Sequence, residues 1–222
     1  KLAKRGIRSV VVDLDEGRVD AVETTGELQF EVPGLCADAS LPDVLDDAGL
    51  QHDKCVGVLA LTNVDQVNLS IAIASKLLRP ERMVISRTEE DVTTANLLSF
   101  GTDQVVNPFR VYAEYLSLAA HAPYTHLVYD WLVNPYHRPL SSAYQKTKGR
   151  WIICGYGRFG SALYREFDED DVDLTVVDSN LSLDTDLPYM VRGKGTEALT
   201  LSEAGVEDAV GIIAGTANDA DN

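Results

Sequence analysis

No apolar run in this chain approaches the ~20 consecutive residues needed to cross a bilayer, and its first residues carry no signal-peptide pattern. Cysteine is scarce. Cys36, Cys55 and Cys154 are the only three. Each lies in or beside a strand-like run, none has metal-ligand spacing, and an odd number argues against a disulfide framework. They read as small core residues in a reducing compartment. Positive charge is scarce as well: 19 Lys and Arg stand against 35 Asp and Glu, a net charge of −16. Such a chain repels phosphate backbones, which argues against nucleic acid as a partner. His52, His121, His126 and His137 are scattered, with no cysteine or acid at ligand spacing, so no metal site is expected. GxSxG, a Cys/His pair, a Walker lysine loop and a hydride-transfer acid/base pattern are all missing, which counts against an enzyme. The acids concentrate in Asp168-Glu169-Asp170-Asp171-Val172-Asp173. That run reads as a solvated helix end and turn. A low-affinity calcium site is the sharper alternative, because hard cations want clustered carboxylates, but the ordered spacing of an EF-hand loop is lacking.

What is present is more specific. An apolar run, Trp151-Ile152-Ile153-Cys154, leads directly into Gly155-Tyr156-Gly157-Arg158-Phe159-Gly160. A helix-like segment follows, then a second apolar run ending in Asp178, which lies 23 residues after Gly155. That is close to the ~20-residue spacing from first glycine to acid in a dinucleotide-binding unit. Gly155 permits the tight turn out of the strand. Gly157 lets a pyrophosphate approach the backbone, and Gly160 lets the helix pack closely on the strand. The helix N-terminus offers free N–H groups and a positive dipole end to phosphates. Asp178 accepts hydrogen bonds from a ribose 2′-hydroxyl. The alternative is a Rossmann-like domain that kept its glycines for packing and lost its ligand.

The chain also repeats itself. Ala48-Gly49-Leu50, Val56-Gly57-Val58-Leu59-Ala60-Leu61-Thr62, Asp65 and Asn68 recur as Ala204-Gly205-Val206, Val210-Gly211-Ile212-Ile213-Ala214-Gly215-Thr216, Asp219 and Asn222. Upstream, Ser9–Asp13 matches Leu174–Asp178. A repeat this long means two copies of one domain rather than a solenoid. Lys1–Gly6 reads as the end of the helix that follows a glycine loop. Copy one is therefore expected to lack its loop, copy two to stop where its next helix begins, and the chain to be an excerpt of a longer protein.

Strands are predicted near 8–13, 30–36, 55–61, 82–86 and 104–107, with helices near 16–24, 41–48, 64–78, 89–99 and 108–120. Copy two repeats the pattern with strands near 151–154, 173–177, 189–192 and 209–214. The strands are continuous Val/Ile/Leu runs, as expected where both sheet faces are buried. Such alternation predicts an α/β fold: two Rossmann-like, doubly wound parallel-sheet domains in tandem, either of them incomplete. Two prolines, adjacent serines and a basic bias mark 134–150 as a linker between a first domain at 1–133 and a second at 151–222.

These residues resemble the regulator-of-potassium-conductance, or TrkA-N, domains of bacterial potassium channels and transporters. In copy one the resemblance is carried by Asp13, Ala37-Asp38-Ala39-Ser40, Ala48-Gly49-Leu50, Thr62-Asn63, Asp65-Gln66-Val67-Asn68, Arg87 and Asn107-Pro108-Phe109. In copy two it is carried by the glycine loop, Asp178, Gly193-Lys194-Gly195-Thr196 and Thr216-Ala217-Asn218-Asp219. The resemblance implies a Rossmann-like fold that binds NAD(H) or an adenine nucleotide (ATP, ADP or AMP). It also implies assembly as a homodimer or higher ring that gates a membrane-embedded potassium pathway from the cytoplasmic face of the cell membrane.

The implied cofactor-binding set in copy two is Gly155, Tyr156, Gly157, Arg158, Phe159, Gly160, Asp178, Ser179, Lys194, Gly195, Thr196, Gly215, Thr216 and Asp219. In copy one it is Asp13, Asp38, Ala39, Thr62, Asn63, Asp65 and Arg87. The family's glycine-aspartate-alanine-threonine element contacts the nucleotide. Copy one has Ala37 in place of its glycine and keeps its aspartate as Asp38. Copy two puts Lys194 at the aspartate position, where a basic residue favours more phosphate charge. The rival classes are an NAD-dependent oxidoreductase and a purely structural assembly domain. The helix from Phe109 to Ala120 and the apolar stretch Leu127–Val133, with Tyr129 and Trp131, carry more apolar surface than one sheet needs. That surplus is expected to form a partner interface.

Overall fold

Residues 2–24, 31–133, 149–169, 172–180 and 187–216 are described by the structure, a computed structural model. They form two compact units, Lys1–Pro108 and Phe109–Asn222. The linker span 134–148, Asp219, and Asp170 and Asp171 of the acidic run lie outside the described residues.

The second unit contains the parallel strands β6 (Arg150–Cys154), β7 (Leu174–Asp178), β8 (Met190–Arg192) and β9 (Ala209–Ala214), in the order β8-β7-β6-β9. This is one mononucleotide-binding half of a doubly wound sheet, with the first strand at its centre. Burial explains why β6 and β7 read as unbroken apolar runs. Ile152, Ile153 and Cys154 are buried, as are Leu174, Thr175, Val176 and Val177. Ile153 and Val176 pack under α7 (Arg158–Glu169), which buries Leu163, Tyr164 and Phe167. The same cluster takes in Ala113, with Leu116 and Ala120 beside it, from α5 (Pro108–His121). Ile152, Cys154 and Val177 pack with Ala204, Leu201 and Val206 around α8 (Ala198–Glu203). Residues of β6 and β7 thus feed two separate clusters. A further helix, α6 (Pro123–Val133), begins directly after α5. Pro123 suits a first helical turn, where its missing N–H costs nothing.

The first unit holds two parallel sheets. One pairs β1 (Val11–Asp13) with β2 (Gly34–Cys36). The other has β3 (Gly57–Ala60), β4 (Met83–Arg87) and β5 (Gln104–Val106) in sequence order. The helices are α1 (Glu16–Glu23), α2 (Pro42–Asp47), α3 (Asp65–Leu78) and α4 (Asp91–Ser99). Strand β2 starts four residues later than predicted, and Pro33 is the reason. It has no N–H for the ladder, and its carbonyl accepts from Val11 N at 3.0 Å as the last contact before pairing begins. One core joins Leu45, Leu50, Ala60 and Ile71, and another joins Ala72, Val84 and Leu97.

The repeat aligns β1, β2 and β3 with β7, β8 and β9. No strand equivalent to β6 occurs among the described residues of copy one. Between β1 and β3 lies an open cavity lined from both sheets.

Candidate functional site

In copy two the loop leaves the end of β6 under tight constraint. Cys154 O accepts from Gly215 N at 2.8 Å, and Gly155 N donates to Val177 O at 2.7 Å, so neighbouring strands grip the turn on both sides. Gly155 has φ +100°, and a Cβ on it would come within 2.9 Å of Gly215 O. Gly160 packs against the Gly155 carbonyl, with no room for a Cβ. Gly157 is the opposite case: a Cβ there would meet no atom within 4 Å. Its exposed backbone faces open space at the start of α7, where the free N–H groups and helix dipole favour an anion.

Asp178 ties this loop to the end of β7. Its Oδ2 accepts from Tyr156 N and its Oδ1 from Asn180 N, both at 2.7 Å. A carboxylate has about four lone-pair sites, so two bonds leave capacity for ribose hydroxyls. Ser179 is an exposed turn residue beside it. The stretch after β8 returns over the loop. Gly193 N donates to Asp178 O at 3.2 Å, and a Cβ on Gly195 would lie 2.9 Å from Cys154 Sγ. Lys194 and Thr196 are exposed on this return, while Gly215 and Thr216 follow β9 half-buried. Burial pushes the Cys154 thiol above its ordinary range, which makes it a packing residue rather than a nucleophile.

Copy one repeats part of this geometry. Asp13 Oδ1 accepts from Asp15 N at 3.0 Å, as Asp178 does from Asn180, and Ala37 N donates to Asp13 O at 3.1 Å, as Gly193 does to Asp178 O. Arg18 Nη1 lies 3.7 Å from Asp13. Hydrogen bonds from the Ser40 side chain and backbone hold the Asp38 carboxyl below its ordinary value. Asp13, Asp38, Ala39, Thr62 and Asn63 all line the cavity between β1 and β3.

Asp65 and Arg87 do not line it; their side chains are engaged in a loop network. Asp65 accepts from Thr88 Oγ1 at 2.7 Å, Glu89 N at 2.9 Å and Glu90 N at 3.1 Å. Burial works against its charge, yet these bonds and the nearby Arg87 hold its carboxyl below 3.8. Arg87 donates to Thr62 O at 2.9 Å and pairs with Glu89. Fully buried Asn68 locks the two loops together. It accepts from Thr62 N and Oγ1 and donates to Thr62 O and Arg87 O, all at 2.8–3.0 Å. Its recurrence as Asn222 marked Asn68 in the sequence; its central place in the network was not legible there.

A family model for the TrkA-N domain matches residues 1–108 and 151–222. The chain belongs to the TrkA-N domain family. Both copies are thus TrkA-N sequences. Potassium channel protein 1 of Methanocaldococcus jannaschii is 32% identical over 92 residues, covering 38% of this chain and 27% of that protein. An uncharacterised protein of Methanothermus fervidus is 28% identical over 108 residues, covering 49% of this chain and 16% of its own length. The chain therefore spans a minor part of the curated relatives it matches. Among solved structures, GsuK bound to ADP superposes on 100% of the chain and 50% of its own, with TM-score 0.71 and 24% identity. The GsuK channel bound to NAD does so with TM-score 0.72 and 18% identity, again over 100% and 50%. The GsuK RCK domain gives TM-score 0.70 at 19% identity, over 100% of this chain and 61% of that one. At these identities the likeness is one of fold.

Proposed function

We propose that the chain is a nucleotide-sensing regulatory module that controls potassium transport through a channel or transporter, and not an enzyme. Copy two binds NAD(H) or an adenine nucleotide: Gly155–Gly160 takes the phosphates, Asp178 the ribose, and Lys194, Gly195, Thr196, Gly215 and Thr216 surround it; Asp219 joins this set on the sequence motif alone. The observation that carries this reading is the open space over Gly157, at a helix N-terminus, beside an acid already bonded to the same loop. In copy one Asp13, Asp38, Ala39, Thr62 and Asn63 face the cavity, while Asp65 and Arg87, expected in the same set, are held in the neighbouring loop network. GsuK, known bound to ADP and to NAD, supports the ligand class. The M. jannaschii channel protein supports the transport role.

The module assembles as a homodimer or higher ring on the cytoplasmic face of the membrane, with a membrane-embedded potassium channel or transporter as partner. No described helix is long and apolar enough to cross a membrane itself. Exposed apolar residues of α5 and α6, including Tyr112, Val128, Tyr129, Trp131 and Leu132, support an interface.

A thermal-shift panel with ATP, ADP, AMP, NAD and NADH, run beside an assay for nicotinamide turnover, tests the reading. Stabilisation without turnover is expected. Turnover with any substrate favours an oxidoreductase, and stabilisation by none of the five at millimolar levels favours an assembly domain.

A further inference from the structure

We propose that Phe109 is a positioning residue for the phosphates of copy two: its ring holds the Arg158 guanidinium at the mouth of the glycine loop. The inference rests on the nucleotide reading above. Arg158 is the first residue of α7 and is exposed. A cation at that end opposes the helix dipole, which favours an anion there. Arg158 Cζ lies 5.0 Å from the centroid of the Phe109 ring, within the range of cation–π attraction.

Stacking uses the face of a guanidinium, whereas bidentate bonds to phosphate use its edge, so one arginine can do both. A ring that fixes the face pre-orients the edge and reduces the rotamer freedom lost when a phosphate arrives. The ring itself stands on a fixed support. Ala113, one turn along α5, is fully buried among Ile153, Leu163 and Phe167. Tyr112 on the same helix lies 5.5 Å, centroid to centroid, from Phe159. Phe159 in turn abuts Gly215, where a Cβ would come within 2.9 Å of Phe159 Cδ1. Both residues between Gly157 and Gly160 thus lie against aromatic side chains of α5.

Calorimetric titration with ADP and with adenosine tests the role. Phe109→Leu keeps an apolar side chain of similar bulk but has no π face; Phe109→Tyr keeps the face. ADP binding is expected to weaken about three- to fivefold in Phe109→Leu, the range of an exposed cation–π contact, with adenosine binding unchanged. Phe109→Tyr should match the parent. In an Arg158→Gln background, Phe109→Leu should have no further effect. Parent-like ADP affinity in Phe109→Leu overturns the proposal. So does an equal loss for ADP and adenosine, or a loss in Phe109→Tyr as large as in Phe109→Leu, since each describes packing alone. A parent that binds neither ADP nor adenosine overturns the nucleotide reading itself, and this proposal with it.

Discussion

Alanine at Gly157 and at Gly160 separates a ligand function from a packing function within one loop. A Cβ at Gly157 meets nothing within 4 Å, and the residue is not in the left-handed region. Gly157→Ala should therefore fold at least as well as the parent, gaining up to about 0.4–1 kcal/mol by restricting the unfolded chain. At Gly160 the Cβ would sit 2.9 Å from the Gly155 carbonyl carbon and closer still to its oxygen. Ordinary non-bonded contacts lie at about 3.5–4.0 Å, and the oxygen is the limiting atom, so strand end and helix must part by more than about 1 Å. Overpacking of that kind costs about 1–3 kcal/mol. At about 4 °C per kcal/mol for a unit of this size, the melting point falls by roughly 4–12 °C.

Ligand reverses the order of the parent and Gly157→Ala. At 100 times its dissociation constant, ADP stabilises the parent by about 2.7 kcal/mol. The Gly157→Ala methyl occupies the pyrophosphate's approach, and binding weakened about tenfold leaves about 1.4 kcal/mol at the same concentration. Differential scanning calorimetry with and without ADP reads both effects. Full ADP stabilisation in Gly157→Ala, or a Gly160→Ala protein that melts with the parent, would refute the reasoning.

Asp178 should accept from a free 2′-hydroxyl and repel a 2′-phosphate, so NAD(H) should bind more tightly than NADP(H), and Asp178→Ser should narrow the gap; equal affinities in the parent would remove the ribose assignment. Asp65 has a depressed carboxyl pKa in the fold, so its contribution is complete above the ordinary value of 3.8 and is lost as pH falls through the folded value. Acid unfolding of the first unit, followed by circular dichroism, should therefore be shallower in Asp65→Asn, and an unchanged pH profile would show that the network around Thr88, Glu89 and Glu90 does not depend on the charge. Trp131, 43% exposed on α6, should lie in the self-association surface, so sedimentation should find a dimeric parent and a more dissociated Trp131→Glu; a monomeric parent would rule that surface out.

The features legible in the sequence were those whose residue type is forced by local geometry. The runs Ile152–Cys154 and Leu174–Val177 are continuous because those strands are buried on both faces. Gly155 and Gly160 were readable because backbone atoms leave no room for a Cβ. The repeat also placed Asp13 against Asp178, whose matching bonds to Asp15 N and Asn180 N appear in the structure.

What escaped depended on contacts between distant residues. Nothing local turns the Asp65 carboxylate toward the loop after β4 rather than toward the cavity; Thr88 and the N–H groups of Glu89 and Glu90 do that. Helix α6 is visible in the sequence only as an apolar stretch because α5 ends at His121 and α6 starts at Pro123, with no polar turn between them. In the sequence Phe109 marks only the opening of a helix. Its place under Arg158 follows from α5 packing in the second unit, against Ile153 and Phe167.

Calorimetric titration of ADP into the parent and into Gly157→Asp tests the central claim most directly. The account predicts saturable binding by the parent through the Gly155–Gly160 loop. It predicts no measurable heat for Gly157→Asp, whose carboxylate fills the pyrophosphate space and adds a like charge. Parent-like binding by Gly157→Asp, or no binding by the parent, would contradict it.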